Sequence, residues 1–593
     1  MQIDEFLERQ LLNVAKPSWY IGGEYGSIVK DKDNIDVRYA FCFPDLYDVG
    51  MSHLGIKILY SLLNRRSDTW CERVFAPNTD MMELMYQHDI PLYGLESHDP
   101  IKNFDFVGFT LQYELCYTNI LSVLSLAKIP FLAKDRTLDS PIIMAGGPCA
   151  SNPEPLCDFI DLFFIGDGEE HFDTLIDLYK KTGKNKEIFL KEASKIECMY
   201  VPKYHNPLKQ VTRAMVQDLD NMFVPDQFVV PYSDVVHDRV MAEIMRGCIR
   251  GCRFCQAGII YRPYRQKSPD KILQNIIQLY KNTGYDEVTL TSLSSSDYER
   301  LPELTDKLLD FCTPRNINIS LPSLRIDNFT KEILQKVQAV RKSGLTFAPE
   351  AGTQRLRDVI NKNVTEEEIL NTAKVAFEGG TSSVKLYFMI GLPTETDEDI
   401  VGIADIAKKL EKLYYSLPVK RARGLMITIS LSTFVPKCFT PFQWEGQASL
   451  EEIQRKQQFL LNIIGKNKHI KLNYHDAKTS VLEGVFARGD QKLGKVLLTA
   501  WQKGCKFDAW SEHFKFESWI DALSENNLTV AEYAQRKRSF DEPLPWDIIN
   551  IGVTKDFLIR ECKRAYQEKT TKNCKEQCSA CGISQYCKGD VCH

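Results

Sequence analysis

The feature that most constrains this chain is a short loop with three closely spaced cysteines. Cys248, Cys252 and Cys255 lie in the segment RGCIRGCRFC, with three residues between the first two thiols and two between the last two. Gly247 and Gly251 relax the backbone, so the loop can wrap a compact object. Three thiolates are one short of the four that close a structural zinc site or an electron-transfer cluster. A [4Fe-4S] cluster bound here would therefore keep one iron without a protein ligand.

That open iron predicts a particular chemistry. It can chelate the amino and carboxylate groups of S-adenosylmethionine (SAM), and one-electron reduction then cleaves the sulfonium bond to give a 5'-deoxyadenosyl radical. Two simpler alternatives stay open: a zinc knuckle that borrows a distant His, and three unrelated buried thiols. The cysteine spacing, the aromatic Phe254 before the last cysteine and the series of strands and helices that follows favour the cluster.

Composition places this loop in a large folded protein. The 593 residues exceed the size of one hydrophobic core, and the 44% hydrophobic and 26% charged shares are typical of folded chains. A net charge of -5 argues against a surface built to hold a polyanion. The segment MQIDEFLERQ does not resemble a secretory signal, and no apolar run reaches membrane-spanning length. We expect a cytoplasmic protein with no membrane partner, whose cysteines are thiols and thiolates.

Alternating apolar runs and helical stretches predict an α/β fold. The first part, which includes VRYAFCF at 37–43, resembles an open parallel sheet of the Rossmann or flavodoxin-like kind. A second series, from a strand before Cys248 to LMITISLSTF at 425–434, gives about six βα units of a partial TIM-type (β/α)6 barrel. The predicted parts are an α/β domain at 1–180, a connector at 181–235, a barrel at 236–470 and a small α+β Cys-rich region at 471–593.

The cysteine loop and the barrel together resemble the radical SAM superfamily. The resemblance implies a [4Fe-4S] cluster, SAM as cofactor and an external electron donor such as flavodoxin or ferredoxin. In that superfamily a motif at the end of the second strand binds the SAM amino group, where this chain has a different sequence in place of Gly-Gly-Glu. The residues at that position are Ser294, Ser295, Ser296 and Asp297.

Two further positions match the SAM pocket of that superfamily. Glu350, in FAPEAGTQRLR, matches an acidic residue that members with a B12 domain place near the SAM ribose or amino group. Gly391 matches the fifth-strand turn that packs against the adenine. The alternative for Glu350 is an ion pair at the barrel end with Arg355 or Arg357.

The first domain resembles the cobalamin-binding domain that precedes the barrel in B12-dependent radical SAM enzymes. Turns without side chains let the backbone approach a large nucleotide tail, and nearby helix N-termini favour its phosphate. A generic flavodoxin-like sheet has the same pattern. His53 is expected to be a helix-start or core histidine rather than a cobalt ligand, because its spacing from Asp48 departs from the usual signature. The predicted cofactor-binding positions are Thr110, Gly146, Gly147, Gly166 and Gly168.

Over nearly the whole chain, the sequence resembles an uncharacterised bacterial family of radical SAM proteins with a B12-binding domain. The resemblance implies reductive SAM cleavage and favours cobalamin-dependent methyl transfer to an unactivated atom. One alternative is methylthiotransferase-like sulfur insertion, with sulfur supplied by a second cluster. Another is a cobalamin or redox sensor without turnover.

Two other segments bear on cofactors and partners. The carboxyl-terminal residues repeat the spacing of three and then two, which predicts either a second [4Fe-4S] cluster or a zinc site. The stretch from Arg246 to Lys267 contains six basic residues and no acidic one. We expect these cations to balance cluster charge, with an RNA or ribosomal substrate as the weaker alternative. The carboxyl-terminal candidates for metal ligands are Cys574, Cys578, Cys581, Cys587 and Cys592.

Overall fold

The computed structural model describes residues 2–321, 345–418 and 424–587. Its α/β elements form parallel sheets, as the alternation of apolar runs predicts. None of the helices in these ranges combines the length and the apolar character that crossing a bilayer requires.

The first sheet has six strands in the spatial order β2-β1-β3-β4-β5-β6. All neighbouring strands are parallel except β5 and β6. The apolar strands are buried, so helices cover the sheet, and the Gly-rich turns lie at the carboxyl ends of β4 and β5. The strands are β1 Val37–Phe43, β2 Thr69–Phe75, β3 Phe106–Thr110, β4 Ile142–Gly146, β5 Leu162–Phe164 and β6 Met199–Tyr200.

Seven helices accompany this sheet. Helix α3 begins at an N-cap, His53, and α5 is buried along nearly its whole length. The helices are α1 Ile3–Gln10, α2 Tyr47–Gly50, α3 Leu54–Asn64, α4 Thr79–Gln87, α5 Tyr117–Leu126, α6 Phe172–Lys181 and α7 Lys186–Ala193.

The barrel consists of two parallel sheets, in the orders β12-β11-β8 and β13-β14-β15-β16, and β9 and β10 form a small antiparallel pair beside them. Each sheet has a buried core of Ile, Val, Leu and Phe. Parallel strands direct their carboxyl ends to one rim, where the cysteine loop follows β9. The strands after β6, of which β7 and β17 lie outside the barrel, are β7 Val211–Thr212, β8 Val240–Glu243, β9 Met245–Arg246, β10 Arg265–Gln266, β11 Glu287–Thr291, β12 Asn318–Ser320, β13 Leu345–Glu350, β14 Ser383–Ile390, β15 Met426–Thr433, β16 Ile470–Tyr474 and β17 Ile549–Asn550.

Helices alternate with the barrel strands and then form the carboxyl-terminal region. Several begin at the predicted start signals, including Ser268 before a proline and a capping box formed by Thr365 and Glu368. The helices are α8 Ala257–Ile260, α9 Pro269–Thr283, α10 Leu301–Cys312, α11 Gln354–Val359, α12 Glu366–Glu378, α13 Asp397–Ser416, α14 Leu450–Ile464, α15 Ala477–Ala487, α16 Leu493–Gln502, α17 Phe516–Glu525 and α18 Lys555–Tyr566.

The structure adds three features to the predicted layout. Strand β6 extends the first sheet beyond residue 180, and antiparallel pairing with β5 holds it there. All six predicted barrel strands are present, and β16 adds another parallel strand beside β15. Strand β7, in the predicted connector, pairs with β17 near the carboxyl terminus. The connector is therefore tied to both ends of the chain.

The carboxyl-terminal region packs on the first domain. Asp508 accepts hydrogen bonds from the Thr118 hydroxyl on α5 at 2.6 Å and from the Trp519 indole on α17 at 2.8 Å. Burial raises the pKa of Asp508 to about 6. The Asn119 side chain accepts the Phe507 backbone N–H at 2.7 Å. These buried polar contacts fix the last part of the chain against α5.

Candidate functional site

The cysteine loop lies directly after β9, at the rim of the barrel. Cys248, Cys252 and Cys255 fall between β9 and α8, and all three are half-buried. The sulfur of Cys248 accepts the Arg250 backbone N–H at 3.4 Å. The sulfur of Cys255 accepts the Gly258 backbone N–H at 3.3 Å. Donors aimed at sulfur stabilise thiolates, so the loop can present charged sulfur to a metal.

The three thiols influence one another electrostatically. Burial and the neighbouring thiols raise the pKa of Cys248 to about 12. Burial and the Cys252 thiol raise the pKa of Cys255 to about 11. Iron must therefore displace protons from these two sulfurs when it binds. Three neighbouring thiols with backbone donors, in a loop that leaves one corner without a fourth cysteine, fit a [4Fe-4S] cluster.

Buried hydrogen bonds and an ion pair hold the cysteine loop against neighbouring segments. The Arg253 guanidinium is fully buried, donates to the Val359 carbonyl at 2.8 Å and pairs with Glu561 on α18 at 3.1 Å. The Asn361 side chain donates to the Gly251 carbonyl at 3.0 Å. The loop is thus bound both to the segment after α11 and to α18, which limits its movement.

Asp297, at the end of the Ser-rich motif, is bound to the cysteine loop. Its carboxylate accepts two hydrogen bonds from Arg250, one of them at 2.9 Å, and a third from the Ser294 hydroxyl at 2.7 Å. Asp297 also raises the pKa of Cys248, which places it near the cluster site. The Ser295 hydroxyl is within 2.8 Å of the Ser292 hydroxyl. Asp297 therefore positions the loop, and direct SAM binding by Ser294, Ser295, Ser296 and Asp297 stays a prediction.

Glu350 pairs with a partner that the sequence did not suggest. It ends β13 at a β-bulge, with a φ of +68°, and its carboxylate lies 3.2 Å from the Lys362 ammonium. Arg355 instead pairs with Asp399, and Arg357 donates to backbone carbonyls. The alternative of a Glu350 ion pair with Arg355 or Arg357 is therefore wrong. Both members of the observed pair act on the pKa of the Cys255 thiol, so both lie near the cluster site.

The turn after β14 contains Gly391, and Phe254 lies in the cysteine loop. Gly391 has a φ of +79°, and its N–H donates to the Glu395 carboxylate at 2.9 Å. Glu395 is held in turn by Lys456 at 2.7 Å. Phe254 packs against the apolar cluster that contains Leu392. The cysteine loop and the turn after β14 therefore contribute to one apolar cluster, and an adenine contact by Gly391 stays a prediction.

A cavity of about 440 Å³ separates the first domain from the barrel. One wall consists of the carboxyl ends of β3, β4 and β5, and the other consists of β8, β9 and the end of β11. All five glycine and threonine positions predicted to bind cobalamin lie on it. We call it the first cavity. Its lining includes Thr110, Gly146, Gly147, Gly166, Gly168, Glu243, Gly247 and Thr291.

Two glycines shape the turns of the first cavity. Gly147 and Gly166 have φ values of +108° and +110°, and a Cβ would lie 2.7 Å from the Leu111 carbonyl oxygen or 2.2 Å from that of Ala214. Only glycine fits there, and it leaves the backbone open to the cavity. The buried Thr291 hydroxyl on the opposite wall has no hydrogen-bond partner among the described residues. Bare turns and an unpaired hydroxyl fit a large ligand with polar groups, such as cobalamin.

His53 lines the first cavity and also begins α3. Its Nδ1 accepts the Ile56 backbone N–H at 3.3 Å, which is the contact of an N-cap residue. Burial lowers the pKa of His53 to about 4, so the ring is neutral at pH 7. The structure therefore places His53 at a helix start, as the sequence predicts.

A network of buried charges joins the two walls. Arg246, on the barrel side, pairs with Glu169 at 2.7 Å, with Glu243 at 2.9 Å and with Asp167 at 3.3 Å. Arg265 pairs with Asp167 at 2.9 Å. Because Asp167 and Glu169 flank Gly168 in the turn after β5, this network fixes that turn against the barrel.

The basic stretch from Arg246 to Lys267 lies inside the protein. Arg250, Arg253, Arg262, Arg265 and Lys267 are buried, and Arg246 is half-buried. Their main partners are carboxylates and carbonyls from distant parts of the chain. Most of these cations pair with the protein's own acids and carbonyls, and the expectation that they balance cluster charge stays a prediction. The same burial removes this stretch as a surface for RNA.

The cysteines of the carboxyl-terminal tail lie beside the cysteine loop, which we also call the catalytic loop. Cys574, Cys578 and Cys581 line a cavity of about 660 Å³, which Cys248 also lines; we call it the second cavity. Cys587 is disulfide-bonded in the structure, and Cys592 lies outside the described residues. Across the described ranges, no three His, Cys, Asp or Glu side chains gather closely enough to hold a single metal ion.

Several residues at the site were missed by sequence reasoning. Asp167 contacts Arg265, 98 residues further along the chain, whereas Lys362 and Arg262 contact Glu350 and Arg250, each 12 residues earlier. The sequence shows only that Arg and Lys residues are frequent between Arg246 and Lys267, and this does not reveal which residues they contact.

Two family models match the chain. Residues 55–202 match "Radical SAM proteins, N-terminal", and residues 242–407 match the "Radical SAM superfamily". The second range contains the cysteine loop, Glu350 and Gly391. The chain belongs to the radical SAM superfamily and is an enzyme of that class, whose chemistry uses a [4Fe-4S] cluster, SAM and an electron donor.

Named relatives span different shares of the chain. The uncharacterized protein MJ0966 of Methanocaldococcus jannaschii is 29% identical over 77% of this chain and 90% of its own length. An uncharacterized methyltransferase of Pyrococcus horikoshii, PH0819, is 24% identical over 52% of this chain and 66% of its own. A tRNA-2-methylthio-N(6)-dimethylallyladenosine synthase of Desulforamulus reducens is 24% identical over 29% of this chain and 39% of its own.

Among solved structures, the fold is similar to that of the radical SAM methyltransferase TsrM from Kitasatospora setae, determined with cobalamin and a [4Fe-4S] cluster bound. The TM-score is 0.47 at 14% identity, over 67% of this chain and 75% of that one.

Proposed function

We propose that this enzyme uses cobalamin, held in the first cavity, to transfer a methyl group from SAM to an unactivated substrate atom. The observation that carries the proposal is the position of that cavity. It lies between the carboxyl edge of the first sheet and the strands that lead into the cysteine loop, and Gly247, next to Cys248, lines it. A methyltransferase among the relatives supports the same chemistry.

The chain's own residues prepare this site. Gly147 and Gly166 expose backbone to the cavity, and Thr291 lines it with a hydroxyl that has no hydrogen-bond partner in the described part of the chain. Neutral His53 adds no charge to the lining. A bound cobalamin would supply a methyl carrier there. We propose that Thr110, Gly146, Gly147, Gly166 and Gly168 contact it.

The SAM site is proposed beside the same loop, next to Cys255. Cys248, Cys252 and Cys255 hold the cluster, and Glu350 with Lys362 lies near Cys255. The carboxylate suits the SAM amino group or ribose, and the neighbouring ammonium suits the SAM carboxylate. We propose that Phe254 and Gly391 also contribute to this site, since Phe254 and Leu392, which follows Gly391, belong to one apolar cluster.

A direct test measures cobalamin binding and S-adenosylhomocysteine in anaerobically reconstituted protein. The proposal predicts about one cobalamin per chain, and S-adenosylhomocysteine that forms only when cobalamin is present, because SAM loses its methyl group in that reaction. Protein that produces 5'-deoxyadenosine but never binds cobalamin would rule the proposal out.

A second candidate is sulfur insertion of the methylthiotransferase kind. The tail thiols and the tRNA-modifying relative support it. The position of those thiols counts against it, because the second cavity shares no lining residue with the first. An RNA substrate is compatible with either reaction, but an RNA-binding surface must lie outside the buried basic stretch. A sensor without turnover would bind cobalamin and leave SAM intact in the same assay.

A further inference from the structure

The second cavity combines the catalytic loop and the tail in one lining. Cys248 and Ile249 form one side, and Cys574, Cys578 and Cys581 form the other. All three tail thiols line this one cavity. Their spacing repeats that of the catalytic cysteines.

Hydrogen bonds fix the tail directly to the catalytic loop. The Cys574 backbone N–H donates to the Ile249 carbonyl at 3.0 Å, one residue after Cys248. The Lys575 ammonium donates to the Asp297 carbonyl at 3.0 Å and pairs with Glu299 at 2.9 Å. A metal held by the tail would therefore be the immediate neighbour of the catalytic cluster.

Arg262 connects the two sides and has an unused donor. Its side chain donates to the Gly258 carbonyl in α8 and to the Arg250 carbonyl in the catalytic loop, each at 3.2 Å. The residue is only 3% exposed, lines the second cavity, and its Nη1 has no partner among the described residues. A buried guanidinium N–H without an acceptor is costly, which points to an anionic ligand in this cavity.

Sulfur of an iron–sulfur cluster is such an acceptor. Arg262 and Cys574 line the same cavity, so the guanidinium charge lies beside the proposed metal ligands. Hydrogen bonds and nearby cations raise the reduction potential of such clusters. Arg262 is thus placed to act on both metal sites at once, through carbonyls on one side and Nη1 on the other.

We propose that Cys574, Cys578 and Cys581 hold an iron–sulfur cluster that relays electrons to the catalytic cluster, and that Arg262 is a positioning residue shared by the two. A one-electron protein donor, of the flavodoxin or ferredoxin kind, reduces the tail cluster. That electron passes to the catalytic cluster and enters the SAM sulfonium, whose carbon–sulfur bond breaks to give methionine and the 5'-deoxyadenosyl radical. The inference rests on the radical SAM chemistry above but not on cobalamin.

The layout favours electron transfer over sulfur donation. Cys578 is exposed, so the tail site reaches the surface where a protein donor docks. The catalytic loop separates this site from the first cavity, because Gly247 lines one cavity and Cys248 the other. A sulfur donor would have to face the substrate side, whereas a relay has to face both the surface and the catalytic cluster.

The test uses full-length protein, reconstituted anaerobically, with Cys578→Ala and with the pair Cys578→Ala and Cys581→Ala. We expect the pair to lose about four irons per chain. Deoxyadenosine formation with titanium(III) citrate should stay within about twofold of the unsubstituted protein, while formation with reduced flavodoxin should fall about tenfold or more. Ser584→Ala, which alters another exposed residue of this cavity, should change neither.

The relay would be overturned if the pair kept its iron, or if it lost zinc in place of iron. It would also be overturned if deoxyadenosine formation in the tail variants were equally fast with flavodoxin and with titanium(III) citrate. Because Cys578 is exposed, its single substitution should not disturb folding, so an equal loss of activity with both reductants in this variant would also overturn the relay. Cobalamin is absent from the assay, so a failure of the methyl-transfer proposal leaves this result readable.

Arg262 is tested by redox titration of both clusters. Arg262→Gln should move the tail cluster to a more negative midpoint potential, and Arg262→Lys should restore part of the shift, because Lys keeps the charge but lacks the fork of donors. A purely structural role predicts loss of metal with no change of potential in the clusters that remain. That result would remove Arg262 from the proposal.

Discussion

The two cavities on either side of the Gly247–Cys248 backbone differ in what forms them. The first, of about 440 Å³, is lined by the ends of two rigid sheets, with bare glycine turns and a network of buried charges. The second, of about 660 Å³, is lined by a tail with little regular structure and three thiols, together with residues of the connector, the cysteine loop and β10. A preformed wall suits a large organic cofactor, whereas thiols on a tail suit a metal that helps to order them. The catalytic loop is the partition between them.

The largest expected effect comes from removing one of the three cysteines that are proposed to bind the cluster in the catalytic loop. Replacing any one of Cys248, Cys252 or Cys255 by Ala should lower deoxyadenosine formation about a thousandfold or more, because the cluster loses one of its three thiolates. Cys312→Ala, which removes a buried thiol far from both cavities, is the control. Deoxyadenosine is measured by chromatography after reduction. SAM scission that survives any of the three substitutions contradicts the assignment.

The next effect tests the charge network of the first cavity. Arg246→Gln removes the cation that Asp167, Glu169 and Glu243 share, although Arg265 still pairs with Asp167, and we expect the free energy of unfolding to fall by about 3 kcal/mol. Urea denaturation measures it. Arg300→Gln, which breaks a surface pair with Glu303, should leave the curve unchanged. If Arg246→Gln also has no effect, the two walls are not held together by this network.

A smaller effect concerns pH and is confined to the first cavity. The pKa of His53 is about 4 in the folded protein and near its ordinary value in the unfolded chain, so its contribution to stability is full above pH 6.5 and is lost as the pH falls towards 4. For a half-buried ring this amounts to about 2 kcal/mol. His53→Asn should flatten that part of the stability curve, while His475→Asn, at an exposed position, should not. Identical curves for His53→Asn and the unsubstituted protein would show that the ring titrates normally.

The smallest effect separates the two cavities by ligand. Leu59 lines the first cavity, and Leu59→Trp should weaken cobalamin binding about tenfold by filling it. Iron content and deoxyadenosine formation should not change, because the second cavity and the cysteine loop are untouched. Leu59→Met conserves volume and serves as the control. Loss of iron in Leu59→Trp would mean that the cavities are not independent.

Local pattern predicted much of this architecture. Apolar runs located β1, β3, β4, β5 and all six expected barrel strands, whereas the cluster site that the cysteine spacing predicts stays a prediction. Strand β2 was missed because it contains Glu72 and Arg73, which are charged yet fully buried. Their charges are paired with Arg38 and Glu96 from other segments, so burial could not be inferred from the strand alone.

The sequence could not predict how the two cavities lie next to the catalytic loop, for the same reason. The tail contacts the catalytic loop across more than three hundred residues of chain, through backbone atoms of Ile249 and Cys574. The unused Nη1 of Arg262 and the Glu350–Lys362 pair are likewise properties of the assembled rim. Spacing predicts that cysteines bind metal, but only the fold shows what lies beside the metal.

The central claim is that the loop between the cavities holds a cluster that cleaves SAM. The most direct measurement is 5'-deoxyadenosine formed per chain on reduction of strictly anaerobic protein, together with its iron content. The account predicts at least about four irons per chain and deoxyadenosine that appears only with reductant and SAM. Protein with a full complement of iron that leaves SAM intact, or anaerobic protein with no iron at all, would contradict it.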